Sequence, residues 1–478
     1  MNKKIVVVGN GMVGHHYVET LVSIGLDFAI TVIGGESRPA YDRVHLSEVF
    51  DGRNPEDLAM TTREHYKTLG VDAHFGDFVI SINRDTKQVI TKNGQHFAYD
   101  RLVLATGSYP FVPPIPGNEQ DHCLVYRTID DLNRIKASAE GVRKGAVVGG
   151  GLLGLECANA LKNLGLETHV IESSSGLMGI QLDEGGSKML RKKIEDLHVH
   201  VHITKAIKVI KKGKDHRLQM EFTDQTHLET DVIVFATGIC PYDKLGRDAG
   251  LEVGERGGVV IDHHCRTSDT DIYAIGECAV LGNCIYGLVA PGHHMAEVAV
   301  SQLTKDKISF FGADMSTKLK LLEVEVGSIG DAHGRSKGAR RYSWCDENAR
   351  VYKSITVSED NKKLLGAVLV GDISDYDTLL QYKLNEIDLP GSPELFVLQP
   401  MADVLVGLSI DSLPDTETIC FCYGVTKRAI CSAVHGGATT MAAIKEVTEA
   451  STGCGSCTAL AKQVIDSELV KLSTEVHN

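Results

Sequence analysis

Residues 4–14 read KIVVVGNGMVG, and this stretch constrains the chain more than any other. Four consecutive apolar β-formers, Ile5 to Val8, run straight into Gly9, Gly11 and Gly14. An uninterrupted apolar strand followed by glycines at that spacing predicts a buried parallel strand opening a helix through a tight turn. The first glycine permits the bend, the second lets backbone approach a pyrophosphate, and the third lets helix pack on strand. The phosphates of a dinucleotide then sit on the helix N-terminus. A carboxylate about 20 residues further on takes a ribose hydroxyl in such folds. Glu36, just past the apolar run 28–33, stands at that distance. A lone GxGxxG is a weak signal, and an ordinary glycine-rich turn is its plain alternative. Strand, glycines, helix and spaced acid together are far more specific.

The pattern recurs at long range. Gly145 to Gly154, GAVVGGGLLG, predicts a second strand and turn with Gly149, Gly151 and Gly154 in the same spacing, and Glu172 closes the next strand, 167–171. Two such folds imply two dinucleotides. After Glu172 the chain reads SSSGLMG, with no Arg or Lys to pair a 2′-phosphate that the carboxylate would repel, so NAD is favoured over NADP. A buried strand over 102–105 leads into Thr106-Gly107 and a proline-rich exit with Pro110, Pro113, Pro114 and Pro116. The same strand-then-ATG exit returns at 231–238, which places the second fold as an insertion within the first. Strands are also expected at 72–79 and 87–91.

Charge and length narrow the partners. With 478 residues the chain is long enough for about three domains. Lys+Arg 49 against Asp+Glu 63 leave a net charge of −14, which repels polyphosphate surfaces and argues against nucleic acid. No run reaches the roughly 18 apolar residues of a membrane span. Met1 to Lys4 before an apolar stretch mimics a signal peptide, but glycine interrupts after four residues where an h-region needs about 7 to 15. The expected compartment is the cytoplasm.

The 12 cysteines are unevenly spread. Cys123, Cys157, Cys240, Cys265, Cys278, Cys284 and Cys345 show no ligand-like pattern beyond a loose Cys278/Cys284 pair and read as small core or surface residues. The tail instead holds Cys420-x-Cys422 and, about 30 residues later, Cys454-x-x-Cys457, a spacing that points to metal before disulfide. Four thiolates suit zinc or an iron–sulfur cluster. Zinc sites usually pair ligands as C-x₂₋₄-C, which Cys420 and Cys422 violate, so the cluster is preferred over zinc and zinc over four unliganded thiols. Cys431 lies outside the quartet on an expected helix and reads as buried.

Further motifs carry a resemblance. GNGMVG, AYDRVHLS, ATGSYP, VYRTIDDLN, GGGLLGLE, DIYAIGECA and GLVAPGHHMA together resemble the N-terminal, FAD- and NADH-binding half of the large subunit of bacterial cytoplasmic NADH-dependent nitrite reductases. They are also similar to flavoprotein electron-transfer components of assimilatory nitrate and nitrite reductases, and more distantly to rubredoxin and ferredoxin reductases. The match runs along nearly the whole chain, including residues 312–334. It implies FAD on the first fold, with Gly9, Gly11, Gly14, Glu36, Arg43, Thr106, Gly107 and Glu277 as its residues. NADH falls to the second, with Gly149, Gly151, Gly154 and Glu172. The tail resembles the bacterioferritin-associated ferredoxin-like domain, which holds [2Fe–2S], here on Cys420, Cys422, Cys454 and Cys457. Glu277 stands where these families usually have Asp to bind a ribityl hydroxyl, and Glu48 where ferredoxin reductases commonly have a flavin-contacting lysine. The helix expected from Pro291 would aim its N-terminal dipole at the reduced flavin. His293 and His294 in its first turn could face the ring, with a solvated or capping role weighing at least as much.

The expected architecture is α/β, with two Rossmann-like domains, an α+β interface domain and a small helical [2Fe–2S] domain. Residues 1–110 with 241–311 are assigned to FAD, 111–240 to NAD, 312–400 to the interface domain and 415–470 to the cluster. Within 312–400, strands at 350–357 and 364–370 and a helix at 376–386 are expected. The resemblance gives that domain a role as scaffold and dimer contact, and prolines at 390, 393, 400 and 414 mark a linker.

NADH gives up two electrons as hydride, a [2Fe–2S] centre passes one, and FAD can do both. Many flavoprotein disulfide reductases carry a redox cysteine pair near the flavin, yet PAYDRVHLSEVF, residues 39–50, has none, leaving the cluster as the evident exit. The reading is therefore an NADH-dependent FAD oxidoreductase in which the flavin, not a side chain, is the reactive group. Its acceptor would be a one-electron partner, a nitrite or nitrate reductase module. A rubredoxin- or ferredoxin-type reductase, an NADH oxidase or peroxide reductase, an NADH-responsive sensor and a flavoprotein with a structural zinc tail stay open. A complete nitrite reductase subunit would continue into a sirohaem and [4Fe–4S] domain. The chain ends at Asn478, as a stand-alone component or a piece of a longer protein.

Overall fold

The structure is a computed structural model that describes residues 3–398, 410, 413–420, 423–452 and 457–475. It divides into two compact units: Met1–Pro114, Asp121–Glu140 and Phe235–Ala313 form one, and Ile115–Gln120, Gly141–Val234 and Asp314–Asn478 the other.

The first unit is built on a five-stranded parallel sheet in the order Ile272–Ala274, Arg101–Leu104, Lys3–Val8, Phe28–Gly34, Asp72–Phe75. Its central strand buries Ile5, Val6 and Val7 almost completely, as an apolar run covered on both faces must. Helices Met12–Ser23 and Val289–Ser301 pack against one another beside it. The second helix begins two residues before Pro291, which sits within the first turn, where its missing N–H costs nothing. The strand expected over 72–79 breaks instead. Gly76 takes a φ of 81°. Beyond it Asp77 Oδ1 accepts the Asn93 N–H at 3.1 Å, and the chain enters a separate antiparallel sheet, Val79–Asn83, Gln88–Thr91 and His96–Ala98.

Residues 121–140 fall in this first unit. The helix Ile129–Ala139 starts at a capping box between Thr128 and Asp131. Ion pairs and hydrogen bonds tie the segment down: Arg127 to Glu277 at 2.5 Å, Lys136 Nζ to the Val49 carbonyl at 3.0 Å, and Arg38 to Asp130 at 3.6 Å. These partners are up to 150 residues apart in the chain, so the local pattern could not show them.

The second unit holds the repeated fold. Its parallel strands run in the order Val199–His202, Glu167–Ile171, Lys144–Val148, Val232–Phe235, with helices Leu152–Asn163 and Glu184–Asp196 and an antiparallel sheet of Ile207–Lys212, Leu218–Phe222 and His227–Thr230. A five-stranded antiparallel sheet follows, ordered Thr317–Leu321, Val324–Gly330, Leu364–Val370, Val351–Val357, Arg340–Asp346. The helix Tyr376–Leu384 packs on it, shorter than expected because Glu386 turns left-handed at φ 50°. Three of these five strands were not foreseen, although TKLKL and the EVEV that follows alternate polar and apolar residues as a half-buried strand does. The tail pairs Thr418–Cys420 with Val425–Thr426 and adds helices Lys427–His435, Met441–Thr448 and Thr458–Glu475 around Ile419, Ile430, Ile444 and Val464.

Asp183 fastens the repeated fold to the antiparallel sheet. Its carboxylate caps the helix Glu184–Asp196 through the Gly186 N–H at 2.8 Å, and accepts from Tyr352 Oη at 2.8 Å and Arg341 at 2.6 Å. The Tyr352 ring occupies the space a Cβ on Gly185 would need, at 2.4 Å. Asp183 is 2% exposed, so removing it strands a buried phenol and an unpaired guanidinium. Asp183→Ala should lower the stability of this unit by about 2–4 kcal/mol, read as an earlier urea midpoint by circular dichroism. Asp183→Asn, which keeps the cap but not the charge, should fall between.

Candidate dinucleotide and cluster sites

The two glycine turns are near copies. Gly9 and Gly149 both take left-handed backbone, φ 108° and 115°, and each donates its N–H at 2.8 Å to the last carbonyl of the neighbouring strand's apolar run, Ile33 or Ile171. Gly11 and Gly151 are the N-caps of 12-residue helices, with φ/ψ of −86°/−169° and −81°/−174°. Neither helix has a capping side chain or an acid in its first turn, so their leading N–H groups remain available to an anion.

Close approach explains why glycine is required in the first turn. A Cβ on Gly9 would lie 2.1 Å from the Ala105 carbonyl oxygen, and one on Gly14 would lie 2.2 Å from that of Gly9. At Gly11 and at Gly151 a Cβ would meet nothing within 4 Å. These two positions are thus open cradles over unsatisfied helix N-termini, which is what a pyrophosphate fills. A buried orphan strengthens the first. Asn10 accepts the Tyr66 hydroxyl proton at 2.6 Å, while its amide Nδ2 is buried with no partner.

The spaced acids behave differently in the two folds. Glu36 accepts from Tyr41 Oη at 2.8 Å and is ion-paired with Arg43, whose guanidinium lies 4.9 Å over the Tyr41 ring. The structure therefore brings together Glu36 and Arg43, both singled out for the first fold. Burial and the Glu36 carboxylate beside it push the Tyr41 phenol well up. Glu172 turns on its own loop: its oxygens accept the Gly150 N–H and the Ser174 N–H, each at 2.7 Å. A carboxylate has about four acceptor positions, so both acids keep capacity for a ribose hydroxyl.

Thr106 and Gly107 hold the crossover. The Thr106 hydroxyl donates to the Tyr242 carbonyl at 2.7 Å, and the Gly107 carbonyl accepts the Tyr242 N–H at 2.8 Å, beside the antiparallel pair Ser108–Pro110 and Ile239–Pro241. Glu277 accepts from Arg127 at 2.5 Å and Ser108 Oγ at 2.7 Å through one oxygen. Arg127 was missed in the sequence, although it immediately precedes a capping box, and its Nε is buried without a partner. Glu48 pairs with Arg53 at 2.5 Å.

His293 and His294 lie one turn into their helix, too far along to cap it, and their Nε2 atoms are buried rather than solvated. His293 stacks on His16, with centroids 4.0 Å apart, and His294 packs edge-on to Phe310. Burial, with His16 and His15 nearby, lowers His293 to about 3, so it is neutral.

In the tail, Cys420 and Cys457 are buried close together. The Cys457 thiol hydrogen-bonds with Cys420, and Ser451 Oγ lies 3.1 Å from its Sγ. The bond to Cys420 and then burial raise the Cys457 thiol strongly. Two thiols converging in a dry site fit a soft metal or cluster, whose binding would expel their protons. Cys422 and Cys454 lie outside the described residues. Cys431 is half-buried on the helix Lys427–His435.

Two phosphate cradles and a thiol pair define an oxidoreductase that holds two dinucleotides and a metal cluster. A match to the pyridine nucleotide-disulphide oxidoreductase family spans residues 3–302, and the chain belongs to that family. Residues 316–385 match the rubredoxin NAD+ reductase C-terminal domain, and residues 418–467 the BFD-like [2Fe–2S] binding domain. FAD, NADH and [2Fe–2S] are its cofactors. The nitrite reductase (NADH) large subunit of Escherichia coli (strain K12) is 50% identical over 99% of the chain, which spans 57% of that relative. The assimilatory nitrate reductase electron transfer subunit of Bacillus subtilis (strain 168) is 34% identical over 97% of the chain and 59% of its own length. Among solved structures, an NAD-dependent persulfide reductase from A. fulgidus aligns with a TM-score of 0.74 at 25% identity, covering 81% of this chain and 77% of that one. Among the described residues no helix is long and apolar enough to cross a membrane.

The geometry at Gly11 separates folding from binding. Gly11→Val should fold, because its side chain enters open space, but should purify with less than about a tenth of the FAD of the unmodified protein, measured by flavin absorbance after gel filtration. Gly14→Val should fail to fold, read as loss of soluble expression.

Proposed function

We propose that the chain takes a hydride from NADH and passes electrons singly to a nitrite or nitrate reductase module. The observation that carries this reading is a pairing of presence and absence. Residues 39–50 hold no redox cysteine pair, while the tail buries Cys420 against Cys457. FAD supplies the exchange between two-electron and one-electron chemistry.

In this reading the N–H groups of the helix behind Gly11 bind the FAD pyrophosphate, Asn10 Nδ2 adds a donor, and Glu36, oriented by Tyr41 and Arg43, takes a ribose hydroxyl. Glu277, anchored by Arg127 and Ser108 through one oxygen, offers the other to the ribityl chain. Thr106 and Gly107 act by holding the crossover beside the flavin. The helix behind Gly151 binds the NADH pyrophosphate. Glu172 rigidifies that turn through Gly150 and excludes a 2′-phosphate, giving a preference for NADH over NADPH. Cys420, Cys422, Cys454 and Cys457 ligate the [2Fe–2S] cluster. We place the protein in the cytoplasm with a sirohaem reductase module or similar one-electron acceptor as partner, and assign residues 312–400 to scaffold and homodimer contact. Support for the acceptor comes from the relatives' names, and for the compartment from the chain's composition.

Two acceptors test this on one variant. Cys454→Ser should leave NADH bleaching of the flavin in stopped flow, and ferricyanide reduction, within about twofold of the unmodified protein, because neither needs the cluster. Reduction of a sirohaem reductase should fall at least about a hundredfold. Partner reduction at the unmodified rate, with the cluster spectroscopically absent, would show that electrons leave from the flavin itself. The preference for NADH is checked separately: kcat/KM should favour NADH by at least about 100-fold, and Glu172→Ala should narrow that gap.

A further inference from the structure

The second fold carries a histidine cluster that neither dinucleotide nor iron–sulfur chemistry uses. Edge strand Val199–His202 carries His200 and His202, two imidazoles that share one face at alternate positions. In the parallel register His169 lies directly opposite His200, and Glu167 precedes His169 by two on the same face. The His169 ring lies between the His200 and His202 rings, 4.7 Å and 5.3 Å from them. Its Nδ1 is 3.0 Å from His202 Nε2, and its Nε2 is 3.0 Å from Glu167 Oε1.

We propose that Glu167, His169 and His200 form a binding site for a divalent transition-metal ion of the zinc class, with His202 orienting His169. One ligand atom from each of the three lies within 4.8 Å of the other two. Two ligand atoms on a tetrahedral zinc ion, bound at 2.0–2.2 Å, sit roughly 3.3–3.5 Å apart. At 3.0 Å, Glu167 Oε1 and His169 Nε2 stand at hydrogen-bond distance and must part by a few tenths of an ångström to share an ion, and exposed His200 must close on them from within 4.8 Å. His202 supplies the outer contact: without metal His169 Nε2–H donates to Glu167, and on metal binding that proton leaves Nε2 while Nδ1–H donates to His202 Nε2. His169 is 5% exposed, so the ion would be held against the sheet and not in open solvent.

Two imidazoles and a carboxylate, with a fourth position for water, match zinc, nickel or copper and not magnesium or calcium. Lys144 works against the ion, with its ammonium 3.2 Å from Glu167 Oε1, so the metal must displace it. The His202 carbonyl accepts the Glu172 N–H at 2.8 Å, so a bound ion would clamp the edge strand beside the acid of the second fold.

The test is calorimetric titration of Zn²⁺ into the full chain with its cofactors loaded. The unmodified protein should bind one equivalent that His200→Ala and Glu167→Gln each weaken at least about tenfold. Cys454→Ser should retain that equivalent. Identical isotherms for the unmodified protein, His200→Ala and Glu167→Gln, or loss of the equivalent in Cys454→Ser, would overturn the proposal. Because His200 and Glu167 are exposed, their variants should keep the thermal midpoint of the metal-free protein, and the same Tm scan checks this.

Discussion

The approach of helix Met12–Ser23 to its strand, with no Cβ between them, underlies the rest of the first unit. Gly9 and Gly14 let backbone oxygens come where a side-chain carbon would sit, at about 2 Å. That contact holds the Gly11 N-terminus at the end of the buried strand, pointing its free N–H groups outward. The strand order follows, because Lys3–Val8 must be central to be covered on both faces. A phosphate site thus arises from packing before any side chain is considered.

The repeat of this turn at Gly149 reproduces the backbone but not the surroundings. Glu172 binds the amide of Gly150, so the acid of the second fold is part of its own phosphate loop. Glu36 is held instead by Tyr41 and Arg43 from the following segment. Charge is used economically in both folds. In both folds the spaced acid orders the nearby chain through its oxygens.

Elsewhere in the second unit, buried charges join strands and helices that sequence separates widely. Asp183 links a helix to Arg341 and Tyr352, and Lys353 is buried against Asp372 and Asp375. Burial works to lower the Lys353 ammonium, but its hydrogen bonds to the two carboxylates outweigh that and raise it. A lysine raised in the fold contributes stability below its unfolded pKa, and that contribution disappears as pH rises through the folded value. The Asp183 contacts give the antiparallel sheet a fixed attachment, and the Lys353 pairs hold its own strand to the turn after Leu364–Val370.

Periodicity and spacing in the sequence determined the two Rossmann turns, their insertion, the strands Glu167–Ile171 and Leu364–Val370, and the tail's cysteine pattern. These are local: a glycine at a given step or an apolar run has one backbone consequence wherever it falls. Only the tertiary structure decided the rest. It paired Arg127 with Glu277 and broke the strand at Gly76. It buried His293 against His16 and set His169 across from His200. Apart from the local turn at Gly76, these depend on residues tens to hundreds of positions apart meeting through strand register, ring stacking or ion pairing, a distance over which no local pattern in the chain carries information.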